Sequence, residues 1–343
     1  MTRKILITGG AGFIGSNYAH RLLSRGEKVV IFDNLSRHGT PNNLKWLQDS
    51  FGRDSFEFIQ EDIRNLAAIE SAARAVDVIV HLAAQVAVTS SVTYPREDFE
   101  VNAMGTFNVL EAARKSGRQP VFLFASTNKV YGGMEDLKLR ETDTRYAFVD
   151  FLNGIDENRN LDFHSPYGCS KGCGDQYVRD YARIYQLPSV VFRQSCIYGQ
   201  RQFGIEDQGW VAWFVIAAIL NKTISIFGDG KQVRDLLFIE DVLDAYDLAV
   251  SKIDDVKGQV FNLGGGAANS ISIWCEFQPI LERIIQKKIT WKAYDWRPGD
   301  QKIYISDTTQ FHKATGWKAN VNVDRGIRLL SQWVMENPSL FES

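Results

Sequence analysis

The stretch Lys4–Gly15, KILITGGAGFIG, limits this chain more than any other. An apolar run, Ile5-Leu6-Ile7, passes at once into Gly9-x-x-Gly12-x-x-Gly15 and then into a helical pattern from Ile14. A short buried strand that turns through glycines into a helix N-terminus makes a phosphate cradle. The turn is tight, backbone N–H groups approach the anion, and the helix packs closely on the strand. Gly9, Gly12, Phe13, Ile14 and Gly15 are therefore candidates for contact with a dinucleotide. The spacing differs from G-x-G-x-x-G, and glycines after a strand are often only a turn, so the motif needs its context.

That context is the next strand. Lys28-Val-Val-Ile-Phe32 ends in Asp33, close to the spacing of about 20 residues expected for an acid that binds an adenosine ribose. A carboxylate there accepts from the ribose hydroxyls and repels a 2′-phosphate, which selects NAD over NADP. Asn34 follows it, and Arg37 and His38 stand close enough to soften the preference.

At 343 residues with a net charge of −2, the chain can bury a large core and leaves no basic footprint for a nucleic acid. No apolar run approaches the length of about 18 that spans a bilayer, and the N-terminus enters the first strand at once, which leaves no room for a signal peptide. The 4 cysteines, Cys169, Cys173, Cys196 and Cys275, lack metal-ligand spacing. They read as buried free thiols in a reducing cytoplasm, with no metal expected. Cys169 and Cys173 share a helical face, where packing explains them as well as a metal would.

Apolar strands alternate with helical patterns through the first half: Ile5–Thr8, Val29–Asp33, Phe56–Gln60, Val78–Leu82, Val121–Ala125 and Val190–Phe192, with helices near Ile14–Ser24, Asp98–Ser116 and Ser165–Tyr185. This predicts an α/β fold with a Rossmann-type doubly wound parallel sheet and a smaller mixed α/β substrate domain. The sheet domain is expected over 1–185, with 189–199 and about 236–263 returning to it; 200–235 and 264–343 form mainly the second domain. The tail after Glu336 reads as surface. Ligands of such sheets bind beyond the strand C-termini. There stand Asp62-Ile63, then Leu82-Ala83-Ala84-Gln85, whose small residues admit a flat ligand, and Ser126-Thr127. Asp62 either takes the adenine amino group or closes a surface turn. His81 reads as a packed strand residue.

Tyr167-Gly-Cys-Ser-Lys171 is the second anchor. The tyrosine and the lysine lie one helical turn apart on one face. An ammonium beside a phenol favours phenolate and draws its pKa down, so Tyr167 is expected to act as a general base toward a hydroxyl proton.

Taken together, TGGAGFIGS, FDNLS, HLAAQ, STNKVYG and YGCSK resemble the extended short-chain dehydrogenase/reductase family of nucleotide-sugar enzymes over nearly the whole chain. The resemblance implies bound NAD and a catalytic group of Thr127, Tyr167 and Lys171, with Lys171 also on the nicotinamide ribose. It adds Asn102 to the cofactor residues and places Gln85 at the border of nicotinamide and sugar. Phe227-Gly-Asp-Gly-Lys-Gln-Val-Arg234-Asp235 and Arg297-Pro-Gly-Asp300 look like the family segments whose arginines hold a diphosphate, with the acid near the ribose; surface ion pairing is the alternative for both. Family dehydratases carry an acid pair after the Ser/Thr, whereas Asn128-Lys129 follow Thr127 here, which counts against dehydration. Asn128 and Lys129 are near enough to touch sugar hydroxyls, though a solvated role suits Lys129 equally. His164 either lines the sugar pocket or caps and packs the helix start.

The segments Arg145–His164 and FRQSCIYGQRQFGIEDQGWVAWF resemble the CDP-tyvelose (CDP-paratose) 2-epimerases of that family. The activity implied is inversion at C2 of a CDP-sugar through a 2-keto sugar. A UDP-sugar 4-epimerase, a reductase, or an NAD-binding scaffold without chemistry are the rivals. Family members commonly pair through Rossmann-domain helices, so a homodimer or homotetramer is expected. The apolar face of Asp98–Ser116 suits that role or core packing.

Overall fold

The computed structural model describes residues 2–297 and 300–341. They gather into two compact units: unit 1 holds Met1–Val130, Ser165–Arg193 and Leu243–Phe261, and unit 2 holds Tyr131–His164, Gln194–Val242 and Asn262–Ser343.

Unit 1 is built on a seven-stranded sheet. Its strands are β1 (Lys4–Thr8), β2 (Lys28–Phe32), β3 (Glu57–Ile59), β4 (Val78–His81), β5 (Val121–Thr127), β6 (Ser189–Gln194) and β7 (Gln259–Leu263), in the order β7-β6-β5-β4-β1-β2-β3. β1 runs parallel to both β2 and β4, with Ile5 opposite Val29 and Val78. Such strands are covered on both faces, and they read as continuous apolar runs rather than alternating ones. Every residue of β4 and all but the first of β1 and β2 is buried. The winding reverses between β1 and β4, so their C-terminal ends flank the switch point where such sheets hold ligands.

The helices that carry candidate residues are α1 (Phe13–Ser24), α2 (Leu66–Ala72), α3 (Pro95–Phe99), α4 (Thr106–Lys115) and α5 (Ser165–Tyr185). The expected helix Asp98–Ser116 is not regular. Glu100–Gly105 winds as a π-helical turn between α3 and α4. Such turns concentrate at functional sites, and this one turns Asn102 into the polar interior while Gly105 sits against Ile63. One face of the sheet packs on α2, α4 and α5 through Val109, Leu110, Phe122, Phe124, Val178 and Tyr181. Burying side chains of this size contributes roughly 1.5–3 kcal/mol each.

Unit 2 is mixed. Val233–Phe238 runs antiparallel to Ser270–Ser272 and parallel to Ile303–Tyr304 and Cys196–Tyr198. Ile224–Phe227 pairs in parallel with Trp291–Tyr294. Its core is aromatic: Trp210, Phe214, Trp274 and Phe277 meet edge to face.

The boundaries differ from the sequence reading in three places: 131–164, 194–199 and 236–242, all read with the sheet domain, belong to unit 2. The Tyr131 hydroxyl donates to Asn262 Oδ1 at 2.7 Å, and Ile155 N donates to the Ile305 carbonyl at 2.8 Å. Partners so distant in the chain leave no local trace. The tail after Glu336 is not all surface either, since Phe341 is buried with its ring 5.3 Å from that of Trp333.

Candidate functional site

The glycine turn of unit 1 is as tight as its sequence requires. Gly9 has φ +69°, and a Cβ on it would lie 2.7 Å from Ala83 N. A Cβ on Gly15 would lie 2.3 Å from the Gly9 carbonyl oxygen. Gly12 enters α1 with extended backbone and no side-chain cap, so the first-turn N–H groups are offered by Phe13, Ile14 and Gly15 without a resident acceptor side chain. Bare glycine backbone ahead of an uncapped helix fits a pyrophosphate.

Asp33 stands buried at the end of β2. It accepts from Ala11 N at 3.0 Å and Leu35 N at 2.8 Å, which braces the glycine turn. Burial pushes its carboxyl up, against the backbone N–H bonds that hold it down. A carboxylate has about four acceptor positions, so these bonds leave capacity for ribose hydroxyls. The cradle and the acid fit NAD.

The other cofactor candidates divide. Asp62 closes a surface turn: it accepts from Arg64 N, Nε and Nη2, all at 2.9 Å, and from Asn34 Nδ2 at 2.8 Å. The Arg64 hydrogen bonds hold its carboxyl below the usual range. Arg64 was not singled out from sequence. Ile63 is a core residue, its Cδ1 2.5 Å from where a Gly105 Cβ would stand. Leu82 and Ala83 hang from Thr8, through its carbonyl and its Oγ1. Ala84 is half-buried beside them. The Gln85 side chain folds back on Ala87, donating to its carbonyl at 2.8 Å and accepting from its N–H. Asn102 fastens this loop, accepting from Gln85 N at 2.9 Å and donating to the Gln85 carbonyl at 3.0 Å. It acts on the loop, whatever the loop holds.

The buried face of α5 carries Tyr167, Ser170, Lys171 and Asp175, at the spacing of one helical stripe. Ser165, at φ +71°, accepts from Gly168 N at 3.2 Å and caps this helix. His164 is exposed and does not cap it. The Thr127 hydroxyl at the end of β5 favours the ionised form of the Tyr167 phenol and accepts from Lys129 N at 3.2 Å. Asn128 is buried and Lys129 half-buried beside it. Lys171 is buried with Nζ 4.4 Å from the centre of the Phe124 ring. His81 is enclosed between Thr8 and Thr106, and burial takes its pKa down to about 3, in keeping with a packed strand residue.

The pKa expectation for Tyr167 needs correction. Burial pushes the phenol up to about 12, with Asp98 adding to the rise and the Thr127 hydroxyl and the charge of Arg37 opposing it. Lys171, for its part, is taken down to about 7 by burial, against the opposing pull of Asp175 and Asp98. Desolvation outweighs the neighbouring charge in both cases.

Sequence reasoning also missed the anchor beneath this stripe. Asp175 accepts from Arg193 Nε and Nη2 and from Ser126 Oγ, so it ties α5 to the ends of β5 and β6. An aspartate one turn beyond Lys171 was visible; its partner, on another strand, was not.

In unit 2, Arg234 is buried and donates Nη2 to Asp300 Oδ1 at 2.8 Å and to the Gln301 carbonyl at 2.7 Å. The two candidates are thus brought together. Arg297 lies 3.9 Å over the Phe227 ring and pairs with Asp207 at 3.2 Å. Pro298 and Gly299 of that motif lie outside the described residues. The thiols are not buried as expected: Cys169 is exposed and Cys173, Cys196 and Cys275 are partly so. Among the described residues, no group of three or more His, Cys, Asp or Glu could hold a metal ion, and no helix is long and apolar enough to cross a membrane.

Comparison with known proteins agrees with this geometry. The model of the NAD dependent epimerase/dehydratase family matches residues 5–264. The chain is 44% identical to CDP-paratose 2-epimerase of Salmonella typhi, over 96% of this chain and 98% of that protein. It resembles the structure of UDP-glucose 4-epimerase from Thermotoga maritima with UDP-glucose, at TM-score 0.81 and 30% identity, over 98% of this chain and 99% of that one. The structure of dTDP-glucose 4,6-dehydratase from Streptomyces venezuelae with NAD and TYD bound matches at TM-score 0.85 and 26% identity, over 99% of both chains. Glycine turn, buried acid at the end of β2 and matched family agree, and the chain belongs to the NAD dependent epimerase/dehydratase family.

Proposed function

We propose that this chain is an isomerase that inverts C2 of a CDP-hexose, converting a CDP-paratose-type sugar to a CDP-tyvelose-type one, with NAD as resident cofactor. The observation that carries it is the burial of Thr127, Tyr167 and Lys171 together in unit 1, in a chain 44% identical to a CDP-paratose 2-epimerase. The hydrogen on C2 of such a sugar is not next to a carbonyl, so no side-chain base removes it directly. When bound, NAD would supply the two-electron acceptor that a transient 2-keto sugar requires, and its positive charge would favour the phenolate, as the charge of Arg37 does. Tyr167 takes the proton of the C2 hydroxyl and returns it, and Thr127 holds the same oxygen. Asn128 and Lys129, next to Thr127, contact the sugar, as does His164. Arg234, Arg297 and Asp300 of unit 2 hold the nucleotide diphosphate and its ribose, so that the keto sugar turns while its anchor stays fixed. The sequence reading of 200–235 and 264–343 as mainly substrate-binding belongs to the same proposal.

The second reading, a UDP-sugar 4-epimerase, is favoured by the structural match to the Thermotoga enzyme. A chain that binds NAD without chemistry is a third, and intact Thr127, Tyr167 and Lys171 argue against it. Proton NMR of CDP-paratose incubated with the purified protein in D2O separates these. Inversion at C2 with the C2 hydrogen retained is expected. Deuterium gained at C2 overturns the mechanism, interconversion of UDP-glucose and UDP-galactose supports the second reading, and no turnover of either leaves the scaffold.

The same reading includes self-association. Phe99, Met104, Phe107, Tyr177, Ile184 and Tyr185 are exposed apolar side chains from α3 to α5, with the Phe107 and Tyr177 rings 5.6 Å apart. A second copy covering them makes a homodimer or a homotetramer, which light scattering measures directly.

A further inference from the structure

Asp98 takes no part in the proton transfer proposed above, yet it is 1% exposed and sits at the junction of three elements of unit 1. One carboxylate oxygen accepts from Ser170 Oγ on α5, and the other accepts from Asn102 Nδ2 at 3.1 Å on the π-helical turn. Asn102 Nδ2 also reaches Ser170 Oγ at 3.2 Å, and Asn102 clamps the main chain of Gln85 through both its amide atoms. A single buried acid therefore joins α3, the helical turn that bears Lys171, and the loop after β4.

A buried carboxylate is costly to hold unless its bonds and charges are matched. Its two hydrogen-bond partners here are neutral, and the titratable groups that face it are Lys171 and Tyr167, both on α5. Lys171 also feels Asp175 and lies near His81, and Tyr167 feels Arg37.

We infer that Asp98 is a positioning residue, which locks the Lys171 turn of α5 to the loop after β4 and adds a negative charge, second to that of Asp175, that favours the Lys171 ammonium. The inference rests on the reading of Tyr167 and Lys171 as the reacting pair. Removing that charge lets burial draw Lys171 further toward the neutral amine and turns the charge-assisted bonds to Asn102 and Ser170 into weaker neutral ones.

The test compares Asp98→Asn, which keeps shape and loses charge, with Ser170→Ala, which loses a donor and keeps the charge. In the NAD-loaded enzyme, kcat and KM for C2 inversion are followed from about pH 6 to 9, together with the NAD retained per chain after gel filtration. Asp98→Asn is expected to lower kcat at neutral pH about tenfold with KM changed less than about twofold. Its alkaline limb moves to lower pH, because Lys171 loses its proton sooner. It also retains less than about half the NAD of the wild type, since Asn102, and through it the loop, is held less firmly. Ser170→Ala keeps the alkaline limb in place. Wild-type kcat, limb and NAD retention in Asp98→Asn overturn the inference, as does an equal loss in both variants with the limb unmoved. If the wild type inverts no nucleotide sugar at C2, the functional reading fails separately; retention of NAD then decides, and undiminished retention in Asp98→Asn overturns the inference.

Discussion

Arg193 donates Nε and Nη2 to the two carboxylate oxygens of Asp175 at 2.9 and 3.0 Å, and both side chains are almost wholly withdrawn from water. Removing one partner leaves the other charge buried and unmatched, which costs about 3–5 kcal/mol. Arg193→Ala and Asp175→Ala should each lower the melting temperature, and the double replacement Asp175→Leu with Arg193→Met should be less harmful than either. Urea denaturation measures this. Single variants within about 1 kcal/mol of wild type would show that the pair does not organise α5.

Tyr167→Phe should lower kcat by at least about 100-fold while the purified protein keeps its NAD, because the change removes a proton carrier and little volume. Thr127→Val addresses the phenol from outside. The Thr127 hydroxyl holds the Tyr167 pKa down, and burial still raises it to about 12. Without it the phenol ionises at still higher pH, so any acid limb of kcat that reports phenolate should move to higher pH. An unmoved limb, with full activity in Tyr167→Phe, would remove Tyr167 from the reaction.

Gly15→Ala should abolish cofactor retention. The new Cβ would meet the Gly9 carbonyl oxygen at 2.3 Å and Gly10 Cα at 2.7 Å, both backbone atoms that cannot turn aside. Gly12→Ala meets only the Gly9 carbonyl oxygen, at 3.0 Å, and should retain more. The NAD content of the two purified proteins, read from absorbance after acid release, gives the order. The reverse order would mean that the cradle lies elsewhere.

These predictions show what the sequence could and could not convey. The glycine turn, Asp33 and the Tyr167–Lys171 stripe were legible because each is a local pattern: a strand that meets glycines, a strand that ends in an acid, one turn of helix. The π-helical turn was not, because Glu100–Gly105 keeps the polarity pattern of a helix and differs only in winding. Gln85 and Asn102 were read as facing a ligand, and the structure turns their side chains on Ala87 and Gln85, while Asp62, read as an adenine contact or a surface turn, closes a turn with Arg64. The direction of a side chain is set by partners far along the chain. The phenol pKa failed for a related reason, since burial is a property of the whole fold and the neighbouring lysine was the only influence the sequence displayed.

Glu157 gives a pH signature for unit 2. Burial raises its pKa from 4.5 to about 7, with Asp307 and Asp156 adding to the rise and the Asn262 N–H opposing it. Asn262 N donates to Glu157 Oε1 at 2.7 Å, so this acid fastens the segment 131–164 to Asn262 within unit 2. An acid with a raised folded pKa is protonated in the native state while the unfolded chain has already ionised. Between pH 4.5 and about 7 the native state therefore binds more protons, and stability falls as pH rises through that window. Above it the penalty is complete; below it there is none. Glu157→Gln keeps an acceptor for Asn262 N and removes the ionisation. It should melt higher than wild type at pH 8, by on the order of 1 kcal/mol or a few degrees, and match it near pH 4. Thermal melts across that range decide the matter, and a gain that is the same at both ends would show that Glu157 does not titrate in this window.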